Sequence, residues 1–196
     1  QPLRREIQRI SGILQEPLNN TFKVDGEVSL QNATIGGNLE CSGGTFHNAS
    51  TEDKNRIALS CDGVKLTGNA FLNHNFEADG EVCFLGATIG GNLSCIGGHF
   101  ACRRPARKGS TRCATALQLQ VATIHGALLF RQPDTTVNGS IDLNHAYVRV
   151  LVDDPETWPP ETVKNAKTGR DLSCHVILDG FTYERLGGTA PTDAKM

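Results

Sequence analysis

The sequence predicts an all-β fold, a right-handed and roughly four-sided parallel β-solenoid with about 22 residues per coil. Three observations lead there. The stretch NATIGGNLECSGGTF, Asn32 to Phe46, returns as GATIGGNLSCIGGHF, Gly86 to Phe100, identical at eleven of fifteen positions. Apolar or small residues recur in pairs two apart, the alternation of a strand with one buried face. Finally, 21 glycines punctuate the chain, many of them between those pairs, where corners are needed. A pair, a corner and another pair cannot bury its side chains within one circuit. Stacking circuits about 4.8 Å apart lets each backbone bond to the next and lines the apolar residues into columns.

Taken in order, residues 1–24 read as a cap and linker. Leu3, Ile7, Ile10 and Leu14 share one helical face, with Arg4, Arg5, Glu6 and Arg9 mostly off it. A helix over 3–15 is expected to cover the first edge of the solenoid. Residues 25–186 are the solenoid. The first circuit supplies Val28 and Leu30, Ala33 and Ile35, Leu39 and Cys41, then Gly44 and Phe46. Later circuits begin near Leu59, Val82, Leu117, Ile141 and Val176. In this register Ile89 points inward and Thr88 outward. Cys41, Leu72 and Cys95 share a wall column, and Cys83 points outward. The GGN after Ile35 and Ile89 is a corner. Every second circuit carries an insertion: Phe46 to Leu59, Phe100 to Leu117, and Val152 to Val176. Residues 187–196 form a tail without a cap, and the natural chain is expected to continue. A spacing of two excludes helical heptads. The period-six left-handed hexapeptide solenoid does not fit pairs recurring at 28, 39, 59, 70, 82 and 93.

Composition narrows the function classes. A formal net charge of -2 gives no global attraction to nucleic acid, and no nucleic-acid partner is expected. It is also too mild for a DNA mimic. No apolar run is long enough to span a bilayer, and the charged N-terminal stretch does not read as a signal peptide. Seven cysteines, an odd number without metal-ligand spacing, point to a reducing, cytoplasmic compartment.

The small-then-large wall pairs Ala33/Ile35 and Ala87/Ile89 resemble those of pentapeptide-repeat proteins, with about 5.5 residues per side instead of five. More closely, GEVxLxxAxIGGNLxCxGG from Gly26 to Gly44, with LDGFTYERL from Leu178 to Leu186, is similar to a group of bacterial proteins labelled "membrane-associated oxidoreductase". The likeness covers residues 25–186. It implies a repeat domain that in its relatives precedes a helical segment and membrane-spanning helices, hence a membrane-associated protein. The label supplies no catalytic residue that maps onto this chain.

No catalytic residue, cofactor site or metal site is assigned. No GxGxxG opens a helix, and GxSxG, HExxH and P-loop patterns are missing from the sequence. His74 and His145 sit in the similar contexts LNHNF and LNHAY. They read as a ligand or acid–base pair, or as corner residues bonded to backbone; the second is favoured because no carboxylate recurs beside them. One Trp and two Tyr cannot build a carbohydrate-binding aromatic row.

Function is expected on the insertions. The middle one carries Arg103, Arg104, Arg107, Lys108 and Arg112 without an acid. It reads either as a site for acidic lipid headgroups or an acidic protein partner, or as solvated surface that Asp153, Asp154 and Glu156 neutralise. Cys102 and Cys113 flank it, and a disulfide between them is left open. Trp158 reads as a docking point or, better, as a lid on the solenoid flank. The expected role is a non-enzymatic scaffold or protein-interaction domain, with part of an oxidoreductase as the alternative.

Overall fold

The apolar pairs become strands, most of them only two to four residues long. The computed structural model describes residues 22–48, 56–131 and 133–187, and they form an all-β architecture of mostly parallel sheets. The capping helix expected over 3–15 lies outside these residues. A first, five-stranded ladder stacks Lys23–Asp25, Thr45–His47, Glu77–Asp79, His99–Ala101 and Thr136–Asn138. A second, six-stranded ladder stacks Val28–Ser29, Ile57–Ser60, Glu81–Cys83, Thr115–Gln118, Ser140–Asp142 and Val176–Ile177. The remaining wall is one nine-stranded sheet. Its strands Thr123–Phe130 and Tyr147–Asp153 run the full width, whereas earlier coils contribute two short strands each, such as Thr88–Ile89 and Leu93–Ser94.

The observed register matches the sequence periodicity residue for residue. Val28 pairs with Leu59, Leu59 with Val82, Val82 with Leu117, Leu117 with Ile141 and Ile141 with Val176. Ile89 lies between Leu66 and Ile124 and is fully buried, while Thr88 beside it is partly exposed. Cys41, Leu72 and Cys95 stack in one buried column, bonded through Cys41 N–H to Phe71 O and Leu72 N–H to Ser94 O. Cys83 departs from its expected exposure. It does alternate with inward Val82 and Phe84, yet only 4% of its surface is accessible. Its thiol lies near Asp62, and Ser60 and Gln118 flank it along the ladder.

The corners that the glycines mark include two kinds. One series is left-handed: Asn32, Gly63, Gly86, Val121, His145 and Gly180 all have φ between 54° and 67°. A second left-handed corner contains Gly43, His74 and Gly97. The GGN corner is different, because Gly36, Gly37, Gly90 and Gly91 all avoid positive φ. Glycine is needed there for space. The Asn38 side-chain carbonyl accepts the Asn69 N–H at 2.8 Å, Asn69 accepts from Asn92 at 2.8 Å, and Asn92 accepts from Ala127 at 2.7 Å. A Cβ on Gly68, Gly91 or Gly126 would collide with the amide below it. Backbone bonds run round this corner as they do round the left-handed ones, for example Gly91 N–H to Gly68 O and Asn32 N–H to Asp62 O, both at 2.8 Å. Thr123–Phe130 passes through it as one continuous strand, which joins the two short-strand ladders in one sheet.

A phenylalanine zigzag fills the interior behind the first ladder. Phe22, Phe46, Phe76 and Phe100 contact one another with centroids 5.3–5.4 Å apart. They alternate between two columns. Glycines 44 and 98 occupy the places between rings, and a Cβ on Gly44 would enter the Phe22 ring. The second glycine of each SGG or IGG is thus a packing residue, and the first, Gly43 or Gly97, is the left-handed turn. At the last coil Val176, Leu178, Tyr183 and Leu186 occupy positions in line with buried residues below but are 37–54% exposed.

Two consequences are measurable. Ile89→Asp buries an unpaired carboxylate and should lower stability by about 4 kcal/mol or more, while Thr88→Asp should change it by less than about 1 kcal/mol. Equal thermal melts for the two would overturn the register. Val121 is a β-branched residue at φ 58° and 54% exposed, in a column otherwise held by Asn, Gly and His. Relief of that strain exceeds the entropic cost of glycine, so Val121→Gly should stabilise by about 1 kcal/mol, read as a melting temperature higher by about 3 °C.

Candidate functional site

The three insertions meet on one flank and bond to one another. The middle one is a small hairpin, an ordered element in place of a free loop. Pro105 and Cys113 form an antiparallel bridge, Ala106 N–H donates to Arg112 O, and Ala114 N–H donates to Arg104 O. Its tip is a turn in which Ser110 N–H reaches Arg107 O at 2.9 Å, with Gly109 at φ 79° supplying the left-handed third position. The described ends of the first insertion, Asn48 and Arg56, are tied to it. Arg56 donates to Ala106 O at 2.8 Å, and Arg104 donates to Asn48 O at 2.6 Å. The third insertion replaces the first-ladder strand of the last coil. It contains the 3-10 turn Pro155–Thr157 and an antiparallel hairpin of Thr162–Lys164 with Asp171–Ser173. It reaches the middle insertion through Ala166 N–H to Arg103 O at 2.9 Å and a parallel bridge between Arg112 and Ser173.

This arrangement sorts the five predicted cations. Arg103, Arg107, Lys108 and Arg112 are exposed. Arg104 is half-buried and acts as a strut through its bond to Asn48. Among the described residues, no carboxylate forms an ion pair with Arg103, Arg107, Lys108 or Arg112. Asp153, expected as a neutralising acid, instead accepts the Trp158 indole N–H at 2.7 Å. The turn after Ala166 adds exposed Lys167 and Arg170 next to Arg103. Sequence reading missed both, because only the fold brings residues sixty positions apart together. The acids Glu161 and Asp171 share this insertion, and Asp171 is paired with Lys164 at 2.7 Å.

Trp158 has the geometry of a lid. Its ring lies 5.3 Å from Phe130, it packs against the solenoid core, and the neighbouring Thr157 is fully buried with its hydroxyl donating to Phe130 O. Both its apolar face and its polar handle are used internally. The predicted histidine pair is not brought together. His74 and His145 sit in different left-handed corners, each bonded through Nδ1 to the side chain of the preceding asparagine, Asn73 or Asn144. The bonds go to side chains, where backbone partners were expected. A shallow groove of about 200 Å³ lies outside the first ladder, lined by His47, Glu77, Asp79 and His99. His47 Nδ1 is 3.2 Å from Asp79 and His99 Nδ1 is 2.9 Å from Thr136 Oγ1, both in the open. Among the described residues, no three His, Cys, Asp or Glu are placed to hold a metal ion.

All seven cysteines are free. Cys102 and Cys113, whose pairing the sequence left open, are both free: the Cys113 thiol donates to the Cys102 carbonyl oxygen at 3.2 Å and lies beside Cys174. Burial pushes the thiols of Cys41, Cys95, Cys102 and Cys113 up to about 12. Cys174 is also raised by burial but keeps partial exposure.

Comparison with protein-family models, curated proteins and solved structures finds no match. Among the described residues no helix is long and apolar enough to cross a membrane.

Thiol accessibility checks this geometry. Under native conditions at neutral pH an alkylating reagent, which no second thiol can displace, should modify Cys174 first, with the other six reacting only on unfolding. Two or more equally fast thiols would contradict the assigned burial.

Proposed function

We propose that this domain is a non-enzymatic solenoid scaffold whose flank of stacked insertions docks on an anionic membrane surface. In this reading the solenoid is right-handed and four-sided, each coil contributing one strand or half-strand per side, so that the insertions recur on one flank. The observation that carries the proposal is the exposed cation set Arg103, Arg107, Lys108, Arg112, Lys167 and Arg170. The first four, unpaired with any described carboxylate, sit on a chain whose overall charge is -2. Six cations on one face, each contributing about 1 kcal/mol near an anionic bilayer before screening, give binding that salt readily reverses. The scaffold part of the reading is supported by the interior, where wall positions are filled by packed side chains and the space under Trp158 is closed.

Co-sedimentation with phosphatidylserine-containing vesicles tests it. Wild type should sediment at low salt and be released at about 0.5 M salt. Changing Arg103, Arg107, Lys108 and Arg112 to Ser, with the strut Arg104 left intact, should weaken partitioning at least about tenfold. Equal partitioning of both proteins, or none at low salt, removes membrane docking and leaves the flank as solvated surface.

A further inference from the structure

We propose that Cys113 and Cys174 form a reversible disulfide that staples the third insertion to the middle one. Arg112 and Ser173 are parallel bridge partners, with Cys113 N–H donating to Ser173 O and Ser173 N–H donating to Thr111 O, both at 2.8 Å. Cys113 and Cys174 are the next residues along these two strands. In-register neighbours of a parallel pair stand about 4.8 Å apart and send their side chains to the same side. That spacing falls within the Cα separation a disulfide spans without backbone movement. The two cysteines lie beside each other and share a small apolar cluster with Val163 and Leu172 that is separate from the main core.

The alternatives are less suited. Cys102 offers Cys113 its carbonyl oxygen and sits fully buried within the main core. Cys41, Cys61 and Cys95 are inside the solenoid, and Cys83 is buried near Asp62. Cys174, the one cysteine with partial exposure, is where an oxidant meets the pair.

The oxidant is a low-molecular-weight disulfide. The Cys174 thiolate attacks one of its sulfurs, forms a mixed disulfide and releases one thiolate, which takes up a proton. Cys113 then gives up its proton and attacks the Cys174 sulfur, expelling the second thiol. Two protein thiols and one small disulfide become one protein disulfide and two small thiols, with both electrons passing to the small molecule. Burial raises both cysteines and so slows the exchange, while the main-chain amides of Gly139, near Cys174, and Arg104, near Cys113, oppose that rise. The staple fixes Arg112 relative to the hairpin that carries Lys167 and Arg170, and it stands whether or not that face docks on a membrane.

The whole chain, incubated natively with oxidised glutathione and trapped with an alkylating agent, should yield one linked peptide pair joining Cys113 to Cys174. Its melting temperature should rise by about 5 °C or more and return on reduction. Cys174→Ser should abolish both changes and Cys102→Ser should retain them. A Cys102–Cys113 linkage, or wild-type protein in which Cys174 accumulates as the glutathione adduct without resolving, overturns the proposal. Peptide mapping on wild type distinguishes these outcomes even if a variant folds poorly.

Discussion

Parallel, in-register stacking is the constraint on which the structure depends. Each residue lies about 4.8 Å from its counterpart in the coil above and below, so every column must hold side chains that tolerate that neighbour. Asparagine meets the demand by bonding upward, as Asn38, Asn69 and Asn92 do, and so forces glycine above each amide. Phenylalanine meets it by alternation, with Gly44 and Gly98 taking the places between rings. Charged residues meet it by mixing: the outer column through Thr45, Glu77, His99 and Thr136 never sets two like charges side by side. The doubled stretch in the sequence is the covalent record of these columns.

The same spacing explains why insertions occur on alternate coils. Insertions two coils apart are separated by roughly 9.6 Å, about the width of two paired strands. A two-stranded hairpin fills that interval and leaves its outer edge in reach of the next. The middle hairpin does this, pairing Arg112 with Ser173 of the third insertion and receiving Arg56 from the first. A flank able to present one continuous surface follows from the two-coil period itself.

The walls were legible in the sequence because each wall position answers to a single rule, alternation at spacing two, and burial then enforces it. The column from Val28 through Leu59, Val82, Leu117 and Ile141 to Val176 follows from that spacing alone. The corners were legible in their places but not in their mechanism. Glycine serves both left-handed turns and close packing, and composition cannot separate them; only the asparagine amides beneath Gly91 and Gly126 do. The flank was legible in part. Five cations stood out as a run, but Arg104 is a strut, and Lys167, Arg170 and Cys174 enter through contacts between segments some sixty residues apart. Spacing carries no information about such contacts, since each insertion obeys its own turn chemistry.

Position on the solenoid, more than residue type, decides what a side chain can do here. Cys95 inside the wall and Cys174 on the flank are the same chemical group. The first has no accessible surface and a thiol pushed up to about 12, which leaves it as apolar filler. The second keeps partial exposure and a second thiol as its neighbour. Arginine divides in the same way: Arg104 spends its guanidinium on a main-chain carbonyl, while Arg103, one residue earlier, is exposed. The inward wall positions of the inner coils are filled by packed side chains. The ladder strands that precede the insertions end at His47, at Ala101 and at Asp153, and the described residues beyond those ends carry other contacts. The partly exposed thiol of Cys174 and the open guanidinium of Arg103 both lie outside the ladders.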